Sequence, residues 1–334
     1  MIRSVSIRRQ NGIALIMVLL AMALVVLLSS GMTREQSLRV FRASHLLGQQ
    51  QGYSVALGAE EFAKQILFRD YEDDKDGDAL ADSPDEEWSQ YAAILPLDDN
   101  GVIEVQVDDL SGRINLNDLV AADGSVDEVT RGRVERLLQI VEVSSISVDA
   151  LIDWIDSNDE AISARGAEDG VYLLQDPSYR AANQYFTSVS ELRLIDGMTG
   201  DDYWKLSPYV AALPVSGLGI NVNMAPAPVI QALHEKLTQA DAGAILEGIE
   251  EERFENVQDF LALSQFAGLG LKATGLGVRS YFFEVASRVT VDNRQVNLVS
   301  LLYRGPDGAL DVVARDSGQK NRITKKPFTV SEDQ

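Results

Sequence analysis

Between Asp153 and Asp169 seven side chains offer carboxylate or amide oxygens, with no histidine or cysteine among them: Asp153, Asp156, Asn158, Asp159, Glu160, Glu168 and Asp169. Hard carboxylate and amide oxygens without imidazole or thiolate suit calcium, which takes about six to eight oxygen ligands in flexible geometry. The expected ligands are Asp153, Asp156, Asn158, Asp159, Glu168 and Asp169. The string Leu151-Ile152-Asp153-Trp154-Ile155-Asp156 reads as a helix end, with Asp153 and Asp156 one turn apart on one face. The next stretch, through Gly166 and Gly170, reads as loop. A second acidic run, Asp74-Lys75-Asp76-Gly77-Asp78 with Asp82 and Asp85 beyond, places oxygens at positions 1, 3, 5, 9 and 12 of an EF-hand count. Ala79 stands where that loop needs glycine, and Asp85 where it needs a longer glutamate, so this run is expected to be a solvated acidic loop.

Other chemistry is scarce. Cysteine is absent and the two histidines are His45 and His234, which nearly excludes zinc, thiol and imidazole mechanisms. No serine or threonine has a recognisable base beside it, no glycine loop suits phosphate, and nothing places two carboxylates in a shielded cleft. An enzyme is therefore not expected. The competing reading, a signal-anchored periplasmic hydrolase, requires turnover that survives in a 35–334 fragment and dies with one carboxylate.

The elements around these residues begin with a membrane segment. Ile13 to Met32 carries no charge and comes after a leader containing Arg3, Arg8 and Arg9 and ending at Gly12. Twenty helical residues span about 30 Å, enough for a bilayer core. The arginines favour a cytoplasmic leader and an extracytoplasmic remainder. Four of the 29 basic residues and none of the 51 acidic ones fall in the first 34 positions, which leaves a net charge of −26 beyond Arg34. Such a surface repels nucleic acid and attracts cations. Small residues suited to secretory cleavage are poorly placed at Ser29-Ser30-Gly31, whereas glycine before the apolar run, Gly12-Ile13-Ala14-Leu15, resembles a type IV prepilin leader.

The helix is expected to continue to about Asp70, because no proline intervenes and Leu38, Phe41, Leu46, Tyr53, Leu57, Phe62, Ile66 and Leu67 recur at helical steps. A break near Gly48 is the alternative. Gly101 to Asp108 alternates like a strand after an Asp98-Asp99-Asn100 turn, and 278–290, 295–303 and 310–314 read as an antiparallel meander with turns at Asp292-Asn293 and Pro306-Asp307-Gly308. Helical patterns fill the interval. The expected fold class is α+β, a pilin-like long helix packed on an antiparallel sheet, with a large all-α domain inserted. The expected divisions are 1–12 leader, 13–34 transmembrane half-helix, 35–116 remaining helix and first strands, 117–275 helical insertion, 276–316 last strands and 317–334 disordered tail.

Inside the insertion, Ile114-Asn115-Leu116-Asn117 is echoed by Ile220-Asn221-Val222-Asn223, and Val189-Ser190-Glu191-Leu192 by Val257-Gln258-Asp259-Phe260. The second Asn of each pair is expected to cap the helix after it. The stretch from Asn221 to Phe254 resembles a helix-hairpin-helix, but its turn, His234-Glu235-Lys236-Leu237-Thr238, lacks the glycine that would present backbone N–H groups to phosphate. Scaffolding, not DNA binding, is expected.

Taken in order, the leader ending at Gly12, Asp109-Leu110-Ser111-Gly112-Arg113-Ile114-Asn115-Leu116-Asn117, Asp153-Trp154-Ile155-Asp156, Gly166-Ala167-Glu168-Asp169 and Ser190-Glu191-Leu192-Arg193 resemble the K-class minor pseudopilins of type II secretion systems. The resemblance implies cleavage by prepilin peptidase between Gly12 and Ile13, N-methylation of Ile13, and calcium. It also implies a bacterial inner-membrane location with a periplasmic head. The implied partners are the I- and J-class minor pseudopilins, the major pseudopilin, and secreted cargo or the outer-membrane channel. Most pilins carry glutamate at the fifth mature position, where this chain has Met17. A carboxylate in lipid needs a partner, and a subunit at the tip has no neighbour above it. A tip minor pilin of a type IV pilus is the closest alternative.

Overall fold

The computed structural model describes residues 13–77, 79–97, 101–291, 294–319 and 322–328. The leader and the turns at Asp98–Asn100 and Asp292–Asn293 lie outside the described residues. The chain divides into two units, one ending at Val55 and one beginning at Ala56. Helix α1 (Ile13–Asp76) runs unbroken for 64 residues, through Gly48. In the first unit its apolar side chains from Ile13 to Met32 are exposed, and the segment is long and apolar enough to cross a membrane.

The second unit holds five antiparallel strands, which with four short ones are numbered along the chain. They are β1 (Ala93–Leu97), β2 (Gly101–Asp109), β3 (Ile114–Asn115), β4 (Val210–Ala211), β5 (Ile220–Asn221), β6 (Leu276–Gly277), β7 (Phe282–Val291), β8 (Arg294–Arg304) and β9 (Leu310–Asp316). The main sheet runs β1-β2-β7-β8-β9. The meander and the hairpin on Gly101 are where the alternation puts them. A row of small side chains on α1, Ala59 and Ala63 with Leu67, packs on Val105, Val107, Phe283, Val285 and Leu302. These residues recur every four positions, and alanine lets the helix approach the sheet closely. The bulky stripe at Leu38, Phe41, Leu46 and Tyr53 is exposed instead. Glu60, one residue past Ala59 and buried, is held by Ser300 Oγ and by the Arg315 guanidinium at 2.7 and 2.8 Å. Burial pushes its carboxyl up, but those donors prevail and hold it below its ordinary value.

Two expectations for the periphery are corrected. Glu72–Asp76 belong to α1, so Asp74 and Asp76 are helical and cannot open an EF-hand loop. Asp82 is 1% exposed and paired with Arg304, far from a solvated loop residue. The tail, expected to be disordered, is docked over residues 322–328. Thr324 and Lys325 N–H groups donate to Gln106 Oε1 at 2.7 and 2.8 Å, and Ala92 and Phe328 N–H groups bond Lys326 and Ala92 carbonyls at 2.9 Å. The cause is Gln106, a buried amide on a strand, which needs these partners.

Between β2 and β7 the chain leaves the sheet for the insertion, starting earlier and ending later than the expected 117–275. Its helices are α3 (Glu128–Ile140), α4 (Val148–Ile155), α5 (Asp169–Tyr172), α6 (Gly200–Leu206), α7 (Ala227–Ala232), α8 (Gln239–Glu251) and α9 (Val257–Leu261); α2 (Glu87–Gln90) precedes β1. The insertion is not purely helical, since β3 pairs with β4 and β5 with β6, both in parallel. These pairings close two copies of one module.

Each copy opens on an Ile-Asn strand and uses its two asparagines differently from the expected capping. The first makes the local turn: Asn115 Oδ1 accepts from Asn117 N at 3.3 Å, and Asn221 Oδ1 from Asn223 N at 3.0 Å. The second reaches far along the chain. Asn117 exchanges two hydrogen bonds with the Phe186 backbone, 2.8 and 2.9 Å, and Asn223 does the same with Phe254, 2.9 and 3.0 Å. Both side chains are buried; Asn117 uses three of its four hydrogen-bonding positions and Asn223 two. The repeated motif thus pins the entry to each following helical hairpin. In the first hairpin Gly197 sits at φ +83, and a Cβ there would meet Ser145 O at 2.3 Å. That turn backs onto protein, which fits scaffolding better than anion binding.

Candidate metal centre

Helix α4 carries the first two carboxylates because Ser147 starts it, its Oγ accepting from Ala150 N at 3.2 Å, and Asp156 ends it. Its apolar residues Leu151, Ile152, Trp154 and Ile155 are buried in the insertion core. Asp153 and Asp156 lie on the side met by the returning loop. Asp153 Oδ1 accepts from Ile162 N at 3.0 Å and its Oδ2 from Ala167 N at 2.8 Å, so the loop is folded around that carboxylate. Asp156 Oδ1 accepts from Asn158 N at 3.2 Å. Glu168 enters from the residue before α5.

Asp153, Asp156 and Glu168, all buried, each bring a carboxylate oxygen within 4.8 Å of the other two. Asn158 Oδ1 is engaged with Glu160 N at 2.8 Å. Asp159 Oδ1 accepts from Asn183 Nδ2 at 2.9 Å. Asp169 is held by Arg180 at 2.7 Å and Ala181 N at 3.1 Å and is not among the three carboxylates that converge. Asn183 joins the site without any sequence signal, since it lies fifteen positions beyond Glu168 in a loop of no distinctive composition; its Oδ1 is buried and has no hydrogen-bond partner.

Three carboxylates this close repel one another. Both oxygens of Glu168 are buried and unpartnered. Its carboxyl is pushed up to about 7 by burial and then by the charges of Asp153, Asp156, Asp159 and Asp169. Burial likewise raises Asp153 and Asp156. Orphaned hard oxygens in a shielded acidic site fit a divalent cation of the calcium type. Trp154 abuts the site, with Tyr172 and Tyr179 at ring-centroid distances of 5.2 and 6.4 Å.

Gly166 is required here. A Cβ on it would stand 2.0 Å from Asp153 Oδ2. Gly166→Ala is expected to displace that carboxylate and weaken calcium binding by about 10–100-fold, the usual effect of disturbing a ligand's support. Isothermal calorimetry on the full chain checks this; wild-type affinity in the variant would contradict the assignment.

Both module copies have counterparts among known proteins. Families described as type II secretion system (T2SS), protein K match residues 112–215 and 220–279, one on each copy. Type II secretion system protein K of Pseudomonas aeruginosa is 37% identical over 320 residues, 93% of this chain and 94% of that protein. The chain belongs to the type II secretion system protein K family. The protein K of Aeromonas hydrophila is 32% identical over 94% of this chain and 98% of its own length. Among solved structures, the GspK-GspI-GspJ complex from the enterotoxigenic Escherichia coli type 2 secretion system contains a chain with TM-score 0.74 and 25% identity. The match covers 84% of this chain and all of that one. Protein K is a pseudopilin, and the pilin-like sheet with its helical insertion is the family's architecture in this chain.

Proposed function

We propose that this protein K is a minor pseudopilin that occupies the tip of the type II secretion pseudopilus and initiates or caps its assembly, without catalysing a reaction. The observation that carries the reading is the chain-long likeness to a subunit of the GspK-GspI-GspJ complex. By that likeness its partners are the I- and J-class minor pseudopilins, with the major pseudopilin below them. Met17 supports the tip position: a subunit that lacks the in-membrane carboxylate gives no charge to a neighbour, and none is needed above a cap. The 110–281 insertion supports it as well, because so large a head obstructs addition of another subunit on top.

On this reading prepilin peptidase cuts between Gly12 and Ile13, Ile13 is N-methylated, and the apolar helix stays in the inner membrane with the head in the periplasm. The test is the mass of the N-terminal peptide from membranes. A peptide beginning with methylated Ile13 is expected. An intact leader, or a start near Met32, would overturn it. Deletion of the gene is expected to block exoprotein release, while loss of surface pili alone would favour the type IV pilus alternative.

Calcium is part of the proposal. Asp153, Asp156 and Glu168 would hold it, with Asp159 and Asn183 adjoining. Bound calcium would tie the end of α4 to the start of α5 and so stiffen the acidic loop. Because calcium must displace the proton on Glu168, affinity is expected to rise about tenfold per pH unit below about 7 and to flatten above it. Terbium luminescence sensitised through Trp154 reports this; a pH-independent affinity between pH 5 and 7 would contradict it.

A further inference from the structure

Where α1 ends, four carboxylates meet two arginines. Asp70 and Asp74 come from the last turns of α1, Asp82 and Glu86 from the segment leading to α2, Arg304 from the end of β8, and Arg253 from the insertion just beyond α8. Arg304 Nη2 takes both oxygens of Asp82, whose Oδ2 also accepts from Ser280 N at 2.7 Å. Arg253 donates to Asp74 Oδ1 at 2.7 Å, Glu86 Oε1 at 3.1 Å and Ala81 O at 2.9 Å. Two oxygens remain buried with no donor, Asp70 Oδ2 and Glu86 Oε2. The nearest cation to the first is Arg304 Nη1 at 3.6 Å. Asp70, Asp82 and Glu86 each place an oxygen within 4.8 Å of the others.

We infer that Asp70 and Glu86 hold protons in the closed junction, and that these protons latch the end of α1 to the segment leading to α2 by relieving the repulsion among its carboxylates. Protonation gives an orphan carboxyl oxygen a hydrogen to donate, and it removes part of the charge excess of four carboxylates over two guanidiniums. A metal ion fits less well. Asp82 is already saturated by Arg304 and Ser280, and a cation would have to sit beside the Arg304 guanidinium. Burial supports the proton, followed by the surrounding carboxylates, which push Glu86 up to about 9 and Asp70 up to about 7.

Other polar and charged groups face the pair from each side. From α1 come Asp74, whose carboxyl is raised by burial, and Tyr71 with Lys75 over its ring. The approach to α2 brings Asp85, bonded to Ser83, and α2 itself the Trp88 indole, which faces Asp70. Behind Asp82 lie Ser280 and Asp109, the latter raised to about 6 by burial. Arg279 covers Tyr71 at 5.0 Å.

Raised carboxyls mean that the closed junction holds protons which the open form gives up near its ordinary values of 3.8 and 4.5. The latch is therefore complete at low pH and is lost as pH climbs through about 7 and then about 9. Its release sets the ionised carboxylates of Asp70, Asp82 and Glu86 against one another at the end of α1.

The test is hydrogen exchange on the full chain in detergent at saturating calcium, corrected for intrinsic exchange. From pH 7 to 9 the opening constant at the Asp82 amide is expected to rise about tenfold per pH unit in the wild type. Glu86→Gln, which keeps a neutral donor, is expected to flatten that slope. A wild-type slope in Glu86→Gln would overturn the latch. Infrared spectroscopy gives a reading on the unmodified chain. Burial holds the Glu86 carboxyl up at about 9, so at pH 8 a protonated-carboxyl stretch is expected, and its absence would overturn the proposal regardless of how the variant folds.

Discussion

Arg304→Met is expected to lower folding stability by about 3–5 kcal/mol at neutral pH, the usual effect of removing one partner from a buried ion pair. Arg304 is 2% exposed and its partner Asp82 1%. The guanidinium also donates to Ser280 O at 2.8 Å and lies 4.9 Å from the Phe283 ring centroid. Methionine fills much of the volume but strands the Asp82 charge and the Ser280 carbonyl. Arg304→Lys is expected to recover only part of the loss, because a point charge cannot also reach Ser280 O and stack on Phe283. Denaturant unfolding of the full chain measures it. A loss below about 1 kcal/mol, the range of exposed pairs, would show that the junction is solvated.

The second large effect is expected at Asn117. Asn117→Ala strands the N–H and C=O of Phe186 and the C=O of Leu213, which the amide serves at 2.8–2.9 Å. Each unpaired buried group costs about 1–3 kcal/mol, so a loss of about 3–5 kcal/mol is expected. Asn223→Ala strands two groups, those of Phe254, and should cost less. That ordering discriminates a staple from a helix cap, whose loss typically costs about 1 kcal/mol at either site. Equal losses near 1 kcal/mol would contradict the duplicated staple.

Much of the fold can be read in advance because its signals are local. The uncharged run from Ile13, the strand runs at 278–290 and 295–303 and the turn at Pro306-Asp307-Gly308 each declare themselves within a few residues. The packing face of α1 does so only in part, through Ile66 and Leu67 of the expected stripe. Bulky side chains draw attention, but the sheet meets Ala59 and Ala63, small residues whose value lies in the approach they allow. The Asn-Leu-Asn and Asn-Val-Asn echoes are visible as a repeat, yet their partners lie 69 and 31 positions away, beyond any local rule. In the carboxylate cluster, the placing of Asp153 and Asp156 on one side follows from helical spacing, and Glu168 comes from the acidic loop. That Asp169 turns to Arg180, and that Asn183 joins Asp159, depends on how a loop closes, and composition alone cannot specify it. Asp82 is the clearest case: an acidic run suggests solvent, and only the distant Arg304 makes its burial possible.

The most direct measurement for the tip assignment is co-expression of the full chain with its system's I- and J-class minor pseudopilins, then native mass spectrometry of the detergent-solubilised assembly. A complex with one copy of each is expected, stable without the major pseudopilin. Failure of the three to associate, or a head found repeatedly along pseudopilus shafts, would contradict the account.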